Sequence, residues 1–168
     1  LLYRCRVAGC RMKQRTWLIT DTHYCHKRII EKCERPEDYE AQINRNWCLL
    51  VKPTDTIIHL GDVIMYKNNL LKGILEKLPG RKILVRGNHD AKSRSWYERN
   101  GFHYCCDALQ LGSVLLTHKP CKVLPDGVRL NVHGHWHNRP KEPLSPQHKL
   151  LSIERTNYKP VLMEQFVC

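Results

Sequence analysis

Short apolar runs, each stopping on a small polar cluster, alternate in the first half of the chain with stretches whose apolar residues recur at helical spacing. Thr16-Trp17-Leu18-Ile19-Thr20 predicts a first strand that ends at Asp21. Beyond it Pro36 suits the first position of a helix, with Glu37 and Asp38 in the first turn, where the macrodipole favours acids. Tyr39, Ile43, Trp47 and Leu50 follow with a helical period and define one buried face. Asp55 and Thr56 open the strand Ile57-Ile58-His59-Leu60, which stops at Gly61-Asp62. Leu70, Leu71, Ile74, Leu75 and Leu78 predict a second amphipathic helix, closed by Pro79-Gly80. Lys82-Ile83-Leu84-Val85-Arg86 is the next strand and leads into Gly87-Asn88-His89-Asp90.

The second half is richer in strands. A short helix is predicted over Arg94–Asn100, closed by Gly101. Phe102–Cys105, Val114–Thr117, Leu130–His133, Leu150–Glu154 and Val161–Glu164 are strand candidates. Lys119–Val128 and Asn138–Gln147, rich in Pro, Gly and charge, read as loops. This order predicts an α/β fold of mixed sheets with helices outside. In open α/β sheets, ligands gather beyond the carboxyl ends of the strands, where the first three polar clusters fall.

The 168 residues fit one domain with a sizeable core. Residues 1–15 carry Arg4, Arg6, Arg11, Lys13 and Arg15 without a clear period, and read as a basic N-terminal extension outside a core domain spanning 16–168. No apolar stretch approaches the roughly 20 residues a membrane helix needs, and Leu1-Leu2-Tyr3 runs straight into Arg4 without an apolar leader, so a cytoplasmic location is expected. The formal charge of +12 favours anionic partners such as nucleotides, nucleic acids or other phosphate esters, although basic residues also simply solvate a surface. Nine cysteines occur without any Cys-x-x-Cys, which argues against a zinc module or a disulfide framework and for small core fillers in a reducing compartment. Cys25, close to the first polar cluster, is the thiol most open to oxidation.

Five clusters carry the candidate chemistry: Asp21-Thr22-His23, Gly61-Asp62, Gly87-Asn88-His89-Asp90, Thr117-His118 and Gly134-His135-Trp136-His137. Each has an ordinary reading. Asp21-Thr22 suits a helix cap, and Gly61-Asp62 and Gly87-Asn88 suit turns. Together, and nearly all behind strand-like runs, they offer carboxylates, a carboxamide and imidazoles to one crevice, a donor mix that suits paired divalent transition metals. His89 reads as a proton donor whose orientation Asp90 could fix. His26 is assigned to the pocket lining, His59 to the core or to the support of a ligand, and His103 and His148 to surface or packing roles.

These ordered motifs closely resemble the calcineurin-like metallophosphoesterase superfamily over roughly residues 16–165. The details are most similar to its small stand-alone members from phages and bacteria: Ile19-Thr20-Asp21-Thr22-His23 with His26, His59-Leu60-Gly61-Asp62, and Asn157-Tyr158-Lys159-Pro160-Val161. The resemblance implies a four-layer α-β-β-α sandwich with two mixed β-sheets. It assigns Asp21, His23 and His137 to one metal and Asn88, His118 and His135 to another, with Asp62 bridging and His89, supported by Asp90, at the leaving oxygen. Manganese comes first among the implied pair of divalent ions, with iron, zinc, nickel or cobalt as alternatives. Protein phosphatases of the superfamily carry Asp-Arg-Gly shortly after Gly-Asp; here Val63-Ile64-Met65-Tyr66-Lys67 follows Asp62, which disfavours that activity.

The sequence therefore predicts a phosphodiesterase that cleaves nucleotide-type or other small phosphoesters by in-line attack of a metal-bridging hydroxide. A phosphomonoesterase, or a non-catalytic basic nucleic-acid-binding or scaffold protein, is the alternative. The implied partner is a phosphoester, including nucleotides and nucleic acids; neither a membrane nor an obligate protein partner is indicated.

Overall fold

Four short strands, β1 (Thr16–Ile19), β2 (Thr56–His59), β3 (Arg81–Val85) and β4 (Tyr104–Cys106), lie parallel and side by side in chain order. The computed structural model describes residues 14–139 and 144–167. The connections between these strands carry α1 (Arg28–Cys33), α2 (Tyr39–Leu50), α3 (Leu71–Leu75) and α4 (Arg94–Arg99). Right-handed crossovers that always step in one direction put their helices on one face of a sheet. Accordingly Ile29, Ile43, Trp47, Leu71 and Tyr97 share a single buried cluster with Trp17, Ile19, Ile57, Leu84 and Cys105.

The chain then builds a second sheet from β5 (Leu109–Leu111), β6 (Val114–Thr117), β7 (Leu130–His133) and β8 (His148–Leu150), in that order. β5 and β6 form an antiparallel hairpin across Gly112-Ser113, and the other pairs are parallel. β9 (Val161–Leu162) returns to the first sheet, antiparallel to β1. Both sheets are thus mixed. Side chains alternate along a strand, so Leu18, Ile58 and Val85 face away from the helices and meet Val114, Leu116 and Val132 of the second sheet. Among the described residues no α-helix covers the outer face of that second sheet. Asn131 and His148, which face outward there, bond instead to the backbone of Cys121 at 2.8 and 2.7 Å, and His133 packs on Trp136. Among the described residues this side of the second sheet is covered by loop.

Several boundaries differ from those predicted. The helix expected at Pro36 begins at Tyr39, because Arg35 is held by the backbone at residues 21 and 22 and the chain turns once more before coiling. The second helix is a 3-10 turn, Asn68–Leu70, followed by α3; Lys77 and Leu78 close it with bonds three residues back. α1 and β5 were not anticipated, being too short to display a period. β8 lies upstream of the expected 150–154, and residues 151–154 leave the sheet. Of the expected 1–15 extension, residues 1–13 lie outside the described residues, whereas Gln14 and Arg15 bond to Thr56 and Asp55. Cys33, Cys105 and Cys106 are buried free thiols, and no helix among the described residues is long and apolar enough to cross a membrane.

One buried carboxylate secures the sheet at the end away from the polar clusters. Asp55 accepts bonds from the Arg15 and Lys52 backbone amides at 3.1 and 3.0 Å and from the Trp17 indole at 3.0 Å. Burial works against its ionised form, but these bonds outweigh it and hold the carboxyl below the usual carboxylate range. A depressed folded-state pKa adds stability above the unfolded value of about 4 and loses it as pH falls further. Asp55→Ala should therefore lower the unfolding free energy by about 3 kcal/mol at neutral pH. In urea titrations the gap to the parent should narrow at about pH 3, below the unfolded-state pKa; a gap independent of pH would contradict the assignment.

Candidate metal centre

The five polar clusters meet where the two sheets adjoin at the carboxyl ends of their strands. The loops leaving β1 and β2 run alongside one another: Asp21 N–H donates to Gly61 O, His23 N–H to Asp62 O and Tyr24 N–H to Val63 O. Asp21 and His23 are thereby set beside Asp62. From the second sheet, His118 follows β6, and His135 and His137 follow β7. Their loops are joined by Gly134 N–H donating to His118 O at 3.0 Å.

The backbone at these residues is unusual. Asp21, His23, Asp62, His135 and His137 have φ of 50°, 49°, 57°, 72° and 52°, all left-handed. Such conformations cost of order 1 kcal/mol or more each for residues with a Cβ and persist only where the surroundings impose them. Two glycines make room. A Cβ on Gly87 would collide with the Asp62 carboxylate and backbone, and one on Gly134 with Thr20 Oγ1 and Asp21 Oδ2.

Three donor groups result among the described residues: Asp21–His23–His137, Asp62–His118–His135, and Cys33–His137–Glu154, which shares His137 with the first; the first two also share the approach of Asp62. In the first, His23 Nε2 and His137 Nε2 lie 3.8 and 3.7 Å from Asp21 Oδ1. In the second, His118 Nε2 is 3.2 Å from Asp62 Oδ2, 3.2 Å from His135 Nδ1 and 3.1 Å from Asn88 Oδ1. Asp62 Oδ2 also lies 3.7 Å from His23 Nε2, so one carboxylate oxygen faces both groups.

The tautomers show what this arrangement can hold. His118 Nδ1 lies 2.8 Å from Leu60 O, which can only accept, so this nitrogen carries the proton. Its Nε2 faces Asn88 Oδ1 and Asp62 Oδ2, which are themselves acceptors, so a second proton or a cation must lie between them; burial opposes charge on this ring, but Asp62 and Asp21 outweigh it and raise its pKa. His137 repeats the pattern, with Nδ1 donating to Glu154 Oε1 at 3.0 Å and Nε2 aimed at Asp21. Asp21 Oδ1 and both ring nitrogens of His23 are buried without any hydrogen bond. Converging, unpaired lone pairs in a buried place are costly unless a cation satisfies them. The donor set is imidazole, carboxylate and carboxamide, which fits divalent transition metals.

Burial and the groups' mutual contacts set their titration. Burial raises the Asp21 carboxyl pKa. Burial opposes charge on His137 too, but its contacts with Cys33, Glu154 and Asp21 push it up to about 10. Burial takes His23 down to about 2, and burial with the nearby His118 takes His135 down to about 4. Asp62 is held well below the usual carboxylate range: burial opposes this, and the bond to His118, its charge and the His89 N–H prevail.

Other site residues divide into those at the centre and those behind it. His89 Nε2 stands 3.9 Å from Asp62 Oδ2 with its side chain 44% exposed, at the open side of the centre. Asp90 does not orient that ring, contrary to expectation. Its carboxylate accepts the backbone N–H of Asp62, Val63 and Gly87 at 2.7, 3.1 and 2.8 Å, tying the Asp62 loop to the Asn88 loop. His59 meets Thr22 Oγ1 at 2.9 Å from the buried side, and His26 lines the cleft. His148, assigned to packing, is buried; His103 is exposed and its ring accepts from Lys82 N–H.

Arg35 and Glu154 lie outside every polar cluster of the sequence. Arg35 donates to the Asp21 and Thr22 carbonyls at 2.8 and 3.1 Å and pairs with Glu154 at 2.7 Å, and Glu154 also holds His137 and Ser152. The two residues are 119 positions apart, and no local pattern marks either.

The chain is similar to known proteins over most of its length. A family model described as calcineurin-like phosphoesterase matches residues 14–163. An uncharacterised protein of Methanocaldococcus jannaschii, MJ1445, is 32% identical over 92% of this chain and 90% of its own length. The gene 66 protein of Mycobacterium phage L5 is 34% identical over 45% of this chain and 39% of its own. Among solved structures, the protein of unknown function AQ665 from Aquifex aeolicus superposes with a TM-score of 0.73 at 27% identity, covering 92% of this chain and 98% of its own. The Pseudomonas putida nuclease MPE shares the fold, with a TM-score of 0.50 at 24% identity over 74% of this chain and 62% of its own.

Glu154 sets the tautomer of His137 and offsets the buried Arg35, so Glu154→Gln should weaken binding of divalent metal by roughly 10- to 100-fold. Calorimetric titration of metal into the folded variant measures this, and parent-like affinity would rule the role out.

Proposed function

The chain belongs to the calcineurin-like phosphoesterase family, and from its site we propose that it is a dinuclear metal-dependent hydrolase of phosphoesters, with phosphodiesters preferred. The observation that carries the reading is the position of Asp62 Oδ2, within 4 Å of His23 in one donor group and His118 in the other. Asp21, His23 and His137 would hold one cation, Asn88, His118 and His135 the second, and Asp62 would be shared. Bound there, two divalent cations would supply Lewis-acid chemistry, making water a stronger nucleophile and neutralising charge on the phosphoryl oxygens. The mixed nitrogen and oxygen donors suit manganese, iron or zinc, manganese being the first to test.

The chain's own residues account for the remaining tasks. His89, exposed beside Asp62, is placed to give a proton to the departing alcohol oxygen, the role of a general acid. Asp90 holds the Asp62 and Asn88 loops together through backbone amides, so it positions the site without touching substrate. Preference for a diester is supported by the space around the centre. A cavity of about 160 Å³ opens beside His23 and His137, and another of about 360 Å³ beside Asn88 and His118. A phosphorus carrying two organic groups can use both sides; a monoester needs only one. An anionic substrate also suits the formal charge of +12.

Hydrolysis of bis(4-nitrophenyl) phosphate should require added manganese, stop on chelation and return on re-addition. Asp62→Asn should lose metal from both positions and all turnover; an active variant would remove the shared ligand. His89→Ala should keep its metal, measured by elemental analysis, while kcat falls by roughly 10²- to 10⁴-fold. Metal loss in that variant would make His89 a ligand and not the acid.

A further inference from the structure

The cleft beside His23 and His137 is walled differently from the metal groups at its base. His26, Ile29 and Lys32, from the connection after β1, line it together with Trp136 and Arg139, from the loop after β7. Lys32 and Arg139 are exposed and make no ion pair among the described residues. Among the described residues, Asp62 is the one carboxylate that lines the cleft. Two exposed cationic side chains therefore line the same cleft as His23, Asp62 and His137.

Beyond His26 stands Tyr66, its ring centroid 5.7 Å from that of His26, which in turn is 5.3 Å from His23. Tyr66 is 71% exposed, an unusual position for a large aromatic side chain. Its backbone is also strained. Lys67 N–H donates to Met65 O at 2.7 Å across Tyr66, whose φ is 64°. That is the rare positive-φ form of the γ-turn, and a bulky residue adopts it at a cost. The neighbouring backbone enforces the turn: Tyr24 bridges Ile64, and Met65 N–H donates to Tyr24 O. The fold thus spends stability to hold a largely exposed aromatic ring beside His26, which itself lines the cleft. A ring and two cations beside a phosphoester centre match what binds single-stranded nucleic acid, in which bases stack on aromatics while basic groups follow the phosphates.

We propose that this cleft is a subsite for a nucleotide of a nucleic-acid strand, with Tyr66 stacking on the base and Lys32 and Arg139 taking the phosphate next to the scissile one. The inference rests on the phosphodiesterase reading above and narrows its substrate to polynucleotide diesters. Tyr66 sets specificity and takes no part in the chemistry.

The test compares a short single-stranded deoxyoligonucleotide with glycerophosphoethanolamine, a diester without a base, using manganese-loaded enzymes of equal metal content. In Tyr66→Ala the ratio of kcat/KM for the oligonucleotide to that for the base-free diester should fall by roughly 5- to 100-fold, chiefly through KM. Tyr66→Phe should restore it. Lys32→Ala with Arg139→Ala should flatten the salt dependence of KM for the oligonucleotide. A ratio unchanged in Tyr66→Ala, or a Tyr66→Phe variant as impaired as Tyr66→Ala, overturns the subsite. Equilibrium binding of adenosine monophosphate and of ribose 5-phosphate to the same metal-loaded proteins separates the two readings. If the parent cleaves neither diester, the hydrolase reading fails, and the subsite then stands only if Tyr66→Ala weakens the nucleotide more than the sugar phosphate. If the parent cleaves both diesters and Tyr66→Ala changes neither that ratio nor nucleotide binding, the hydrolase stands and the subsite falls.

Discussion

Everything in this protein is arranged around lone pairs that point at one another. Asp62 Oδ2 lies within 4 Å of both His118 Nε2 and His23 Nε2, and His118 Nε2 within 4 Å of Asn88 Oδ1, while Leu60 O fixes a proton of His118 on the opposite nitrogen. A single proton cannot satisfy such a group, and buried acceptors left facing each other oppose folding. The constraint is electrostatic and local, yet meeting it requires loops from both sheets.

The supports follow from that demand. Five site residues occupy left-handed backbone, a penalty repeated at each. What holds them there is a set of backbone bonds that do not depend on any ligand. Asp90 clamps the loops after β2 and β3, and Arg35 closes on the carbonyls of Asp21 and Thr22 while Glu154 anchors it. Breaking such a buried ion pair on one side costs about 3–5 kcal/mol, so the pair is well suited to holding strained residues in place. Gly87 and Gly134 complete the arrangement by letting backbone touch the two carboxylate side chains directly.

Much of this was legible in the chain because strands announce their ends. Ile19, His59 and Val85 each close a buried run, and the polar residues just beyond them reach the same rim for a topological reason that sequence order already contains. Gly134-His135-Trp136-His137 stood out because paired histidines so spaced have few structural uses. Arg35 and Glu154 could not be read, since what makes them important is each other, across 119 positions. Asp90 was seen but misjudged: proximity in sequence suggested the His89 ring, whereas its partners are amides from another loop. Likewise the outer layer of the second sheet depends on whether loops bury Asn131 and His148, and no periodicity records that.

The two halves of the centre belong to different sheets, so their separation is governed by what packs between those sheets. Asp21, His23, Asp62 and Asn88 leave the first sheet, and His118, His135 and His137 leave the second. Leu18, Ile58 and Val85 meet Leu116 and Val132 directly beneath. Protein interiors are packed densely enough that losing one or two methyl groups shifts neighbouring elements before it unfolds them. Few bonds cross between the halves above that layer, among them His118 Nδ1 to Leu60 O and His135 N–H to Asp21 Oδ2 at 2.8 and 3.0 Å. The apolar layer is therefore part of the metal site in a mechanical sense. It fixes the distance over which Asp62 must reach, and loosening the contact of Leu18, Ile58 and Val85 with Leu116 and Val132 would move the His118 side of the site relative to the Asp62 side.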